Sequence, residues 1–185
     1  MAALLLGLGL APAAAAAEIG AVAVSHEQGR YQIRLEARLA APADAVYAVF
    51  TDFSRLGELN PSVREVDWQP QLDPPELTTR LRLCAGLFCR SLRQIQQMTL
   101  SPGEAGGQIV ARVDGSRSDL RSGEARWAFS ACGEQHTCLR FEAELEPGFW
   151  IPPLLGPWIV QRQLHEEALT TSRGLERLAA EAARR

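Results

Sequence analysis

The residues of this chain whose chemistry depends on their spacing are four cysteines, which form two close pairs. Cys84 is followed by Cys89, and Cys132 is followed by Cys138. These spacings differ from those of a zinc ribbon, and His136 is the only histidine near either pair, so we predict no metal site. An even number of paired cysteines favours two local disulfides, Cys84–Cys89 and Cys132–Cys138, over free thiols or a bound metal.

The remaining reactive side chains do not form a recognisable catalytic motif. His26, His136 and His165 lie outside any nucleophile or zinc-binding pattern. His165 could contact a ligand, although a structural role is the alternative, and a helix cap explains Asp52 as well as a catalytic acid does. All 19 basic residues are arginine, which excludes Schiff-base and P-loop lysines. We therefore predict no catalytic residue and no cofactor. The sequence leaves enzymatic activity open and favours a protein that is not an enzyme.

The start of the chain indicates where the protein works. Residues 2–17 form a short apolar run that ends in alanines and is followed by Glu18. This pattern is typical of a secretory signal peptide and is too short for a membrane-spanning helix, although no basic residue precedes it. We predict that residues 1–17 are a cleaved signal peptide and that 18–185 form one domain, exported to the periplasm or secreted. A disordered alanine-rich tail is the alternative.

The composition of the chain is that of an ordinary globular protein. It has 46% hydrophobic and 22% charged residues and a formal net charge of −3. Because no excess of positive charge is present, nucleic acid is not expected as a partner. We predict a monomer.

Several elements can be predicted from hydrophobic periodicity. Residues 31–39 alternate strictly between apolar and polar, which indicates a half-buried antiparallel strand, and 21–26 form a shorter strand candidate. Two short helices follow, over 41–50 and 53–59. Six strand-like runs then lie near 63–68, 77–84, 89–100, 108–114, 120–131 and 137–145. After Gly156-Pro157, an apolar stripe predicts one long helix: Val160, Leu164, Ala168, Thr171, Leu175, Leu178 and Ala182.

Motifs in this order resemble those of the START-like superfamily. The segments that carry the resemblance are residues 41–53 (APADAVYAVFTDF), Asn60-Pro61, 123–129 (GEARWAF), 137–141 (TCLRF) and 146–152 (EPGFWIP). More specifically, the chain is similar to the polyketide cyclase/dehydrase and lipid-transport family, on its coenzyme Q-binding START-like branch. The resemblance implies an α+β helix-grip fold. In that fold a curved antiparallel sheet of about six to seven strands, with two short helices after the first strand, encloses a cavity against one long C-terminal helix.

Residues of the predicted cavity follow from the inward faces of the strands and from the last helix. Its walls are predicted to be Leu81, Leu83, Leu92, Met98, Trp127, Phe129, Leu139 and Phe141, with Gln94, Gln161 and His165 as candidate polar contacts for a ligand. The cavity mouth, or a membrane-docking edge, is predicted at Phe149, Trp150, Ile151, Leu154, Leu155 and Trp158. The same residues could instead form a filled core.

Together these features predict an exported domain that binds a hydrophobic small molecule or lipid without catalysing a reaction. A quinone-like ligand and peripheral membrane contact are part of this expectation. The first alternative is an aromatase/cyclase-type or hydrolytic enzyme that uses the same cavity. The second is a protein-interaction module with a filled core.

Overall fold

The computed structural model describes residues 18–85, 88–151 and 156–182. The predicted signal peptide lies outside the described residues. The described chain contains eight strands and three α-helices, with a short 3-10 turn at Phe53–Arg55. The strands are β1 (Glu18–Glu27), β2 (Arg30–Leu39), β3 (Val63–Gln69), β4 (Glu76–Ala85), β5 (Phe88–Pro102), β6 (Gly106–Val113), β7 (Leu120–Ala131) and β8 (Thr137–Pro147). The helices are α1 (Ala43–Thr51), α2 (Leu56–Leu59) and α3 (Gly156–Ala182).

All eight strands form one antiparallel sheet in the order β1-β2-β8-β7-β6-β5-β4-β3. Both β1 and β2 at one side and β4 near the other contact α3, so the sheet curves around this helix. The predicted α+β helix-grip fold is therefore confirmed. The sheet has eight strands, more than the six to seven that the resemblance implied. The short strand predicted at 21–26 is longer than expected, since 18–27 pairs with β2 along almost its whole length.

The alternation in β2 decides which face of the sheet is covered. Tyr31, Ile33, Leu35, Ala37 and Leu39 are buried, and the polar residues between them are exposed. Such a pattern places every second side chain against the helices and leaves the other face in water. The outer face carries cross-strand ion pairs such as Arg30 with Glu144 and Arg112 with Glu124.

The helical connection after β2 differs in detail from its prediction. Helix α1 begins at Ala43, and Pro42 occupies the position before the helix rather than its first turn. Asp52 does not cap the following turn with its side chain. It is exposed and accepts a hydrogen bond from the hydroxyl of Ser54 at 2.5 Å. The proline at 61 still ends α2, in accordance with the rule that the residue before proline leaves the helical region.

The space enclosed by the curved sheet is filled with side chains at one end and contains a cavity at the other. At the filled end, where β2 stops and β8 starts, α1 and the last turns of α3 pack tightly against the strands. This core includes Leu39, Val46, Phe50, Ile109, Phe129, Leu178 and Ala179. At the hollow end, where the β4–β5 hairpin turns, the first half of α3 stands away from the sheet and a cavity remains.

Candidate ligand-binding cavity

The hollow end contains a cavity of about 610 Å³, within the range of known ligand sites. Its sheet wall is mostly apolar and includes Leu81, Leu83, Leu92, Met98, Trp127, Leu139 and Phe141. Its helix wall is formed by the predicted stripe of α3, including Val160, Leu164, Ala168 and Thr171. The cavity can therefore remove a large apolar molecule from water.

Most of the residues predicted to form the walls lie in the cavity, but Phe129 does not. Phe129 is buried at the filled end, where its ring centre lies 5.3 Å from that of Phe50 and 6.0 Å from that of Tyr47. Its neighbour on the same face, Trp127, does reach the cavity and stacks on Phe141 at 5.1 Å. On β7 the cavity wall thus ends between Trp127 and Phe129, whereas on β8 it extends to Leu139, the residue opposite Phe129.

Gln161 and His165 are also absent from the cavity lining. Both lie on another face of α3 and border a separate groove shared with Val22 and Val24 of β1. Each helical residue is rotated by about 100° from the one before, so a position next to the stripe can face away from it. Gln94, on β5, does line the cavity.

The residues predicted at the mouth separate into two groups. Phe149 and Ile151 line the cavity, whereas Trp150 and Trp158 point to solvent with 77% and 63% of their surface exposed. Leu154 and Leu155 lie outside the described residues. The guanidinium of Arg90, at the start of β5, lies over the Phe149 ring and also lines the cavity.

A polar cluster that was not predicted forms part of the wall where α2 and β3 meet α3. Its centre is the carboxylate of Glu167. Oε1 of Glu167 accepts hydrogen bonds from Ser62 Oγ and Gln163 Nε2, both at 2.7 Å, and Oε2 accepts one from Asn60 Nδ2 at 2.6 Å. Asn60 also donates to Thr171 Oγ1 at 3.0 Å. Asn60, Gln163, Glu167 and Thr171 all contribute to the cavity lining.

One signal in the sequence points to Glu167. It lies three residues after Leu164 and four before Thr171, so it occupies the centre of the apolar stripe rather than its edge. A carboxylate at such a position needs nearby donors, because burying an unpaired charge is costly. Gln163, one turn earlier on α3, supplies one of them. The other two, Asn60 and Ser62, are about a hundred positions away in the sequence, and periodicity within one helix cannot identify them.

The sheet wall also carries amide groups. Gln94 and Gln96 on β5 face the cavity. In the described part of the chain their side chains make no hydrogen bond to protein, so they are available to a ligand or to water. Gln94 lies opposite Thr79 in the β4–β5 pairing, and Gln96 lies opposite Leu77.

The other carboxylates near the cavity belong to the outer face. Glu144 and Glu124 alternate with the inward-facing Ala143 and Ala125, and their carboxylates bind arginines outside: Arg30 for Glu144, and Arg112 and Arg126 for Glu124. Desolvation raises the pKa of Glu124, but hydrogen bonds from Arg126 and Arg112 outweigh it and keep that pKa below its ordinary value. Their charged groups therefore do not face a ligand.

Within residues 18–85, 88–151 and 156–182, no cluster of side chains suited to a metal ion is present, and none of the histidines lines the cavity. His26 packs on Tyr31 in the first hairpin, with 4.4 Å between ring centres. The site is thus an apolar space with a hydrogen-bonded carboxylate, four side-chain amides (Asn60, Gln94, Gln96 and Gln163) and one arginine among the described residues of its wall.

Both predicted disulfides are present in the structure. Cys84–Cys89 joins the ends of β4 and β5 and lies beside the cavity mouth. Cys132–Cys138 joins β7 to β8 at the filled end. Each bond therefore closes a hairpin turn, and the two lie at opposite ends of the sheet.

The fold, with its cavity between a curved sheet and a long terminal helix, is that of START-like proteins. The chain belongs to the polyketide cyclase/dehydrase and lipid transport family, whose model matches residues 30–183. No curated protein sequence matches it significantly.

Several solved structures are similar to this chain in fold. A protein of Thermus thermophilus has 19% sequence identity and a TM-score of 0.67, with 82% of this chain and 98% of that chain covered. The Zhui aromatase/cyclase of a Streptomyces species (strain R1128) has 13% identity and a TM-score of 0.66, with coverage of 83% and 96%. A START superfamily protein of Mycobacterium smegmatis has 17% identity and a TM-score of 0.63, with coverage of 82% and 98%. At these identities the likeness establishes the fold alone.

None of the helices in the described ranges has the length and hydropathy required to span a bilayer.

Proposed function

We propose that the protein binds a hydrophobic small molecule or a lipid in its cavity and carries it without changing it chemically. The observation that carries this proposal is the cavity of about 610 Å³ between the sheet and α3, lined mainly by apolar side chains. Removing apolar surface from water contributes about 25 cal/mol per Å², so a ligand that fills such walls gains most of its affinity there. The same cavity weighs against the alternative of an interaction module with a filled core.

The mouth is suited to exchange with a lipid surface. Trp150 is exposed and lies in the sequence between Phe149 and Ile151 of the cavity lining, and Trp158 near the start of α3 is exposed at the groove beside β1. Tryptophan is favoured at membrane interfaces, since its ring is apolar and its N–H stays hydrated. We propose that this edge touches a membrane transiently while the ligand enters or leaves.

The two disulfides support a site of action outside the cytosol. Disulfides persist in oxidising compartments, and both cysteine pairs are joined here. Together with the apolar run at residues 2–17, they favour export of the chain. A carrier there would have a natural task, because lipids and other apolar molecules cross an aqueous space only when shielded from water.

The test is to fill the cavity from its sheet wall. Ala143 faces the cavity from β8, whereas Ala128 lies on β7 opposite the exposed Arg140, on the outer face. The purified wild-type protein is expected to bind a neutral naphthyl dye and to retain extractable apolar ligands in native mass spectrometry. Ala143→Phe should reduce dye affinity about tenfold or more, and Ala128→Phe should leave it unchanged. Equal dye binding by all three proteins would contradict the proposal.

A cyclase-type or hydrolytic enzyme is the second candidate, and Glu167 favours it as the one carboxylate whose charged group lies in the cavity wall among the described residues. As an enzyme the protein would need Glu167 to exchange protons with its substrate. Conversion of a polyketide-like or ester substrate that is abolished by Glu167→Gln, with binding retained, would establish this function instead. Binding without turnover supports the carrier.

A further inference from the structure

The carboxylate of Glu167 accepts hydrogen bonds from neutral donors at all but one of its acceptor positions. Its two oxygens offer about four acceptor positions, and three of these are taken by Asn60, Ser62 and Gln163. The charge itself has no counterpart. Among the described residues Glu167 forms no ion pair, while the α3 arginines Arg162 and Arg177 pair with other glutamates.

The side-chain amide of Gln163 also leaves an acceptor without a donor from Glu167. Gln163 donates through Nε2 to Glu167, so its side-chain oxygen is left as an acceptor at the cavity wall. Two acceptors, one of them charged, thus face the same part of an otherwise apolar space. The arginine of the lining, Arg90, lies at the mouth and is stacked on Phe149.

A ligand that enters the cavity replaces the water around Glu167. If the ligand presents only methylene groups there, the carboxylate loses hydration without compensation, which is unfavourable. A donor on the ligand restores the lost hydrogen bond, and a cationic donor also balances the charge. An anionic head would add a second negative charge in a medium where charge repulsion is strong.

We propose that the ligand is an amphiphile with an apolar tail and a hydrogen-bond-donating head, and that Glu167 with Gln163 binds this head. Amine heads, positively charged at neutral pH, bind most tightly, hydroxyl heads less tightly, and carboxylate heads least. This inference rests on the proposed binding function and specifies the chemical class of its ligand.

The experiment uses three molecules with the same tail: dodecylamine, dodecanol and dodecanoate. Displacement of the neutral naphthyl dye from the wild-type protein by each molecule is measured at neutral pH and constant ionic strength. Concentrations are kept where the molecule is monomeric and dissolved. The amine is expected to bind about tenfold more tightly than the carboxylate, or more, because the ammonium head gains a charge-assisted hydrogen bond whereas the carboxylate head meets a like charge. Equal affinities, or tighter binding of dodecanoate through Arg90, would overturn the proposal.

A pair of variants then assigns the preference to one residue. Glu167→Gln is expected to remove the preference for the amine over the carboxylate and to weaken dodecanol binding less than dodecylamine binding, because the glutamine oxygen still accepts a hydrogen bond but carries no charge. Glu166→Gln is the matched control, because it changes the net charge equally at the next residue, whose side chain is 61% exposed on the outer surface. Retention of the preference in Glu167→Gln would exclude the assignment.

The outcomes separate the two proposals. If dye, dodecanol and dodecanoate bind but the amine has no advantage, the cavity binds apolar ligands and only the head-group inference fails. If neither dye nor any amphiphile binds, the binding function itself fails. Should Glu167→Gln not fold, as judged by circular dichroism, the wild-type series with the three amphiphiles still decides the head-group preference.

Discussion

The guanidinium carbon of Arg90 lies 4.0 Å from the centre of the Phe149 ring. Arg90 is the third residue of β5, next to the hairpin turn, and Phe149 stands just after β8 on the way to α3. The contact therefore joins two segments on opposite sides of the cavity mouth. Both residues also line the cavity, so we expect the contact to influence how a ligand enters or leaves.

The first prediction concerns the rate of exchange. Cation–π contacts contribute about 0.5–1 kcal/mol at exposed sites, so Arg90→Gln should accelerate dye dissociation about two- to fivefold. Stopped-flow fluorescence measures this rate. Arg93→Gln is the control, because Arg93 lies on the same strand with its side chain on the exposed outer face. Equal rates in wild type and Arg90→Gln would show that the contact does not limit exchange.

The second prediction compares the two disulfides. Each closes a short loop, so removing either pair by alanine substitution should lower the free energy of unfolding by about 2 kcal/mol. Only the Cys84–Cys89 pair lies at the mouth, so only its removal should also accelerate dye exchange. Loss of Cys132–Cys138 serves as the control with a matched cost in stability. Chemical denaturation and stopped-flow traces of both double variants measure the two effects.

If both double variants exchange dye at the same rate, the hairpin at the mouth does not depend on its disulfide. If neither loses stability, the cross-links add nothing to the fold.

The third prediction concerns the close approach of α2 to α3. A Cβ atom added at Gly174 would lie 2.1 Å from the carbonyl oxygen of Leu59, far inside contact distance. Gly174→Ala should therefore destabilise the protein by about 1–3 kcal/mol, although alanine is the better helix former. Because Leu59 precedes Asn60, the shift should also disturb the hydrogen bond from Asn60 to Glu167.

Urea denaturation measures this change. The control is Gly57→Ala, since a Cβ there would meet only an ordinary contact of 3.5 Å with the carbonyl of Val63. A Gly174→Ala protein as stable as Gly57→Ala would show that the two helices can separate without loss.

The fourth prediction concerns pH. Hydrogen bonds from Ser116 and from Arg117 lower the pKa of Asp114 from 3.8 to about 2. A carboxylate with a depressed pKa stabilises the fold above its ordinary pKa and loses this effect as the pH falls through the folded value. Asp114→Asn should thus lower the melting temperature near neutral pH, and its difference from wild type should shrink between about pH 4 and about pH 2.

Differential scanning calorimetry at several pH values checks this expectation. Glu104→Gln is the control, because Glu104 is an exposed acidic residue in the turn at the other end of β6. A melting difference for Asp114→Asn that is constant down to pH 2 would contradict the assigned pKa shift.

The fold could be predicted from the sequence because its helices, strands and disulfides follow short-range patterns. The alternation of β2, the stripe of α3 and the spacing of Cys84 and Cys89 each depend on residues a few positions apart, and all three predictions are confirmed. β1 also has a local pattern, but its early part is rich in alanine and glycine, so its full length was underestimated.

The candidate site was harder to predict, because it depends on how far the elements stand apart. Trp127 and Phe129 occupy equivalent inward positions, yet only Trp127 reaches the cavity. Phe50 contacts both rings, whereas Tyr47 of α1 packs on Phe129. Likewise, Glu167 meets Asn60 only after α2 packs on α3. Such contacts between distant parts of the chain are fixed by the three-dimensional fold and not by periodicity.

The separation of a filled end from a hollow end along the same strands affects how such a protein can evolve. Substitutions at the hollow end, such as changes at Leu83 or Leu92, alter the shape offered to a guest molecule while the tightly packed side chains around Val46 and Leu178 stay in place. Side chains that border empty space have fewer neighbours to disturb, so their replacement costs less than replacement in a close-packed region. Variation of the cavity shape and preservation of the scaffold are thus assigned to different parts of one domain.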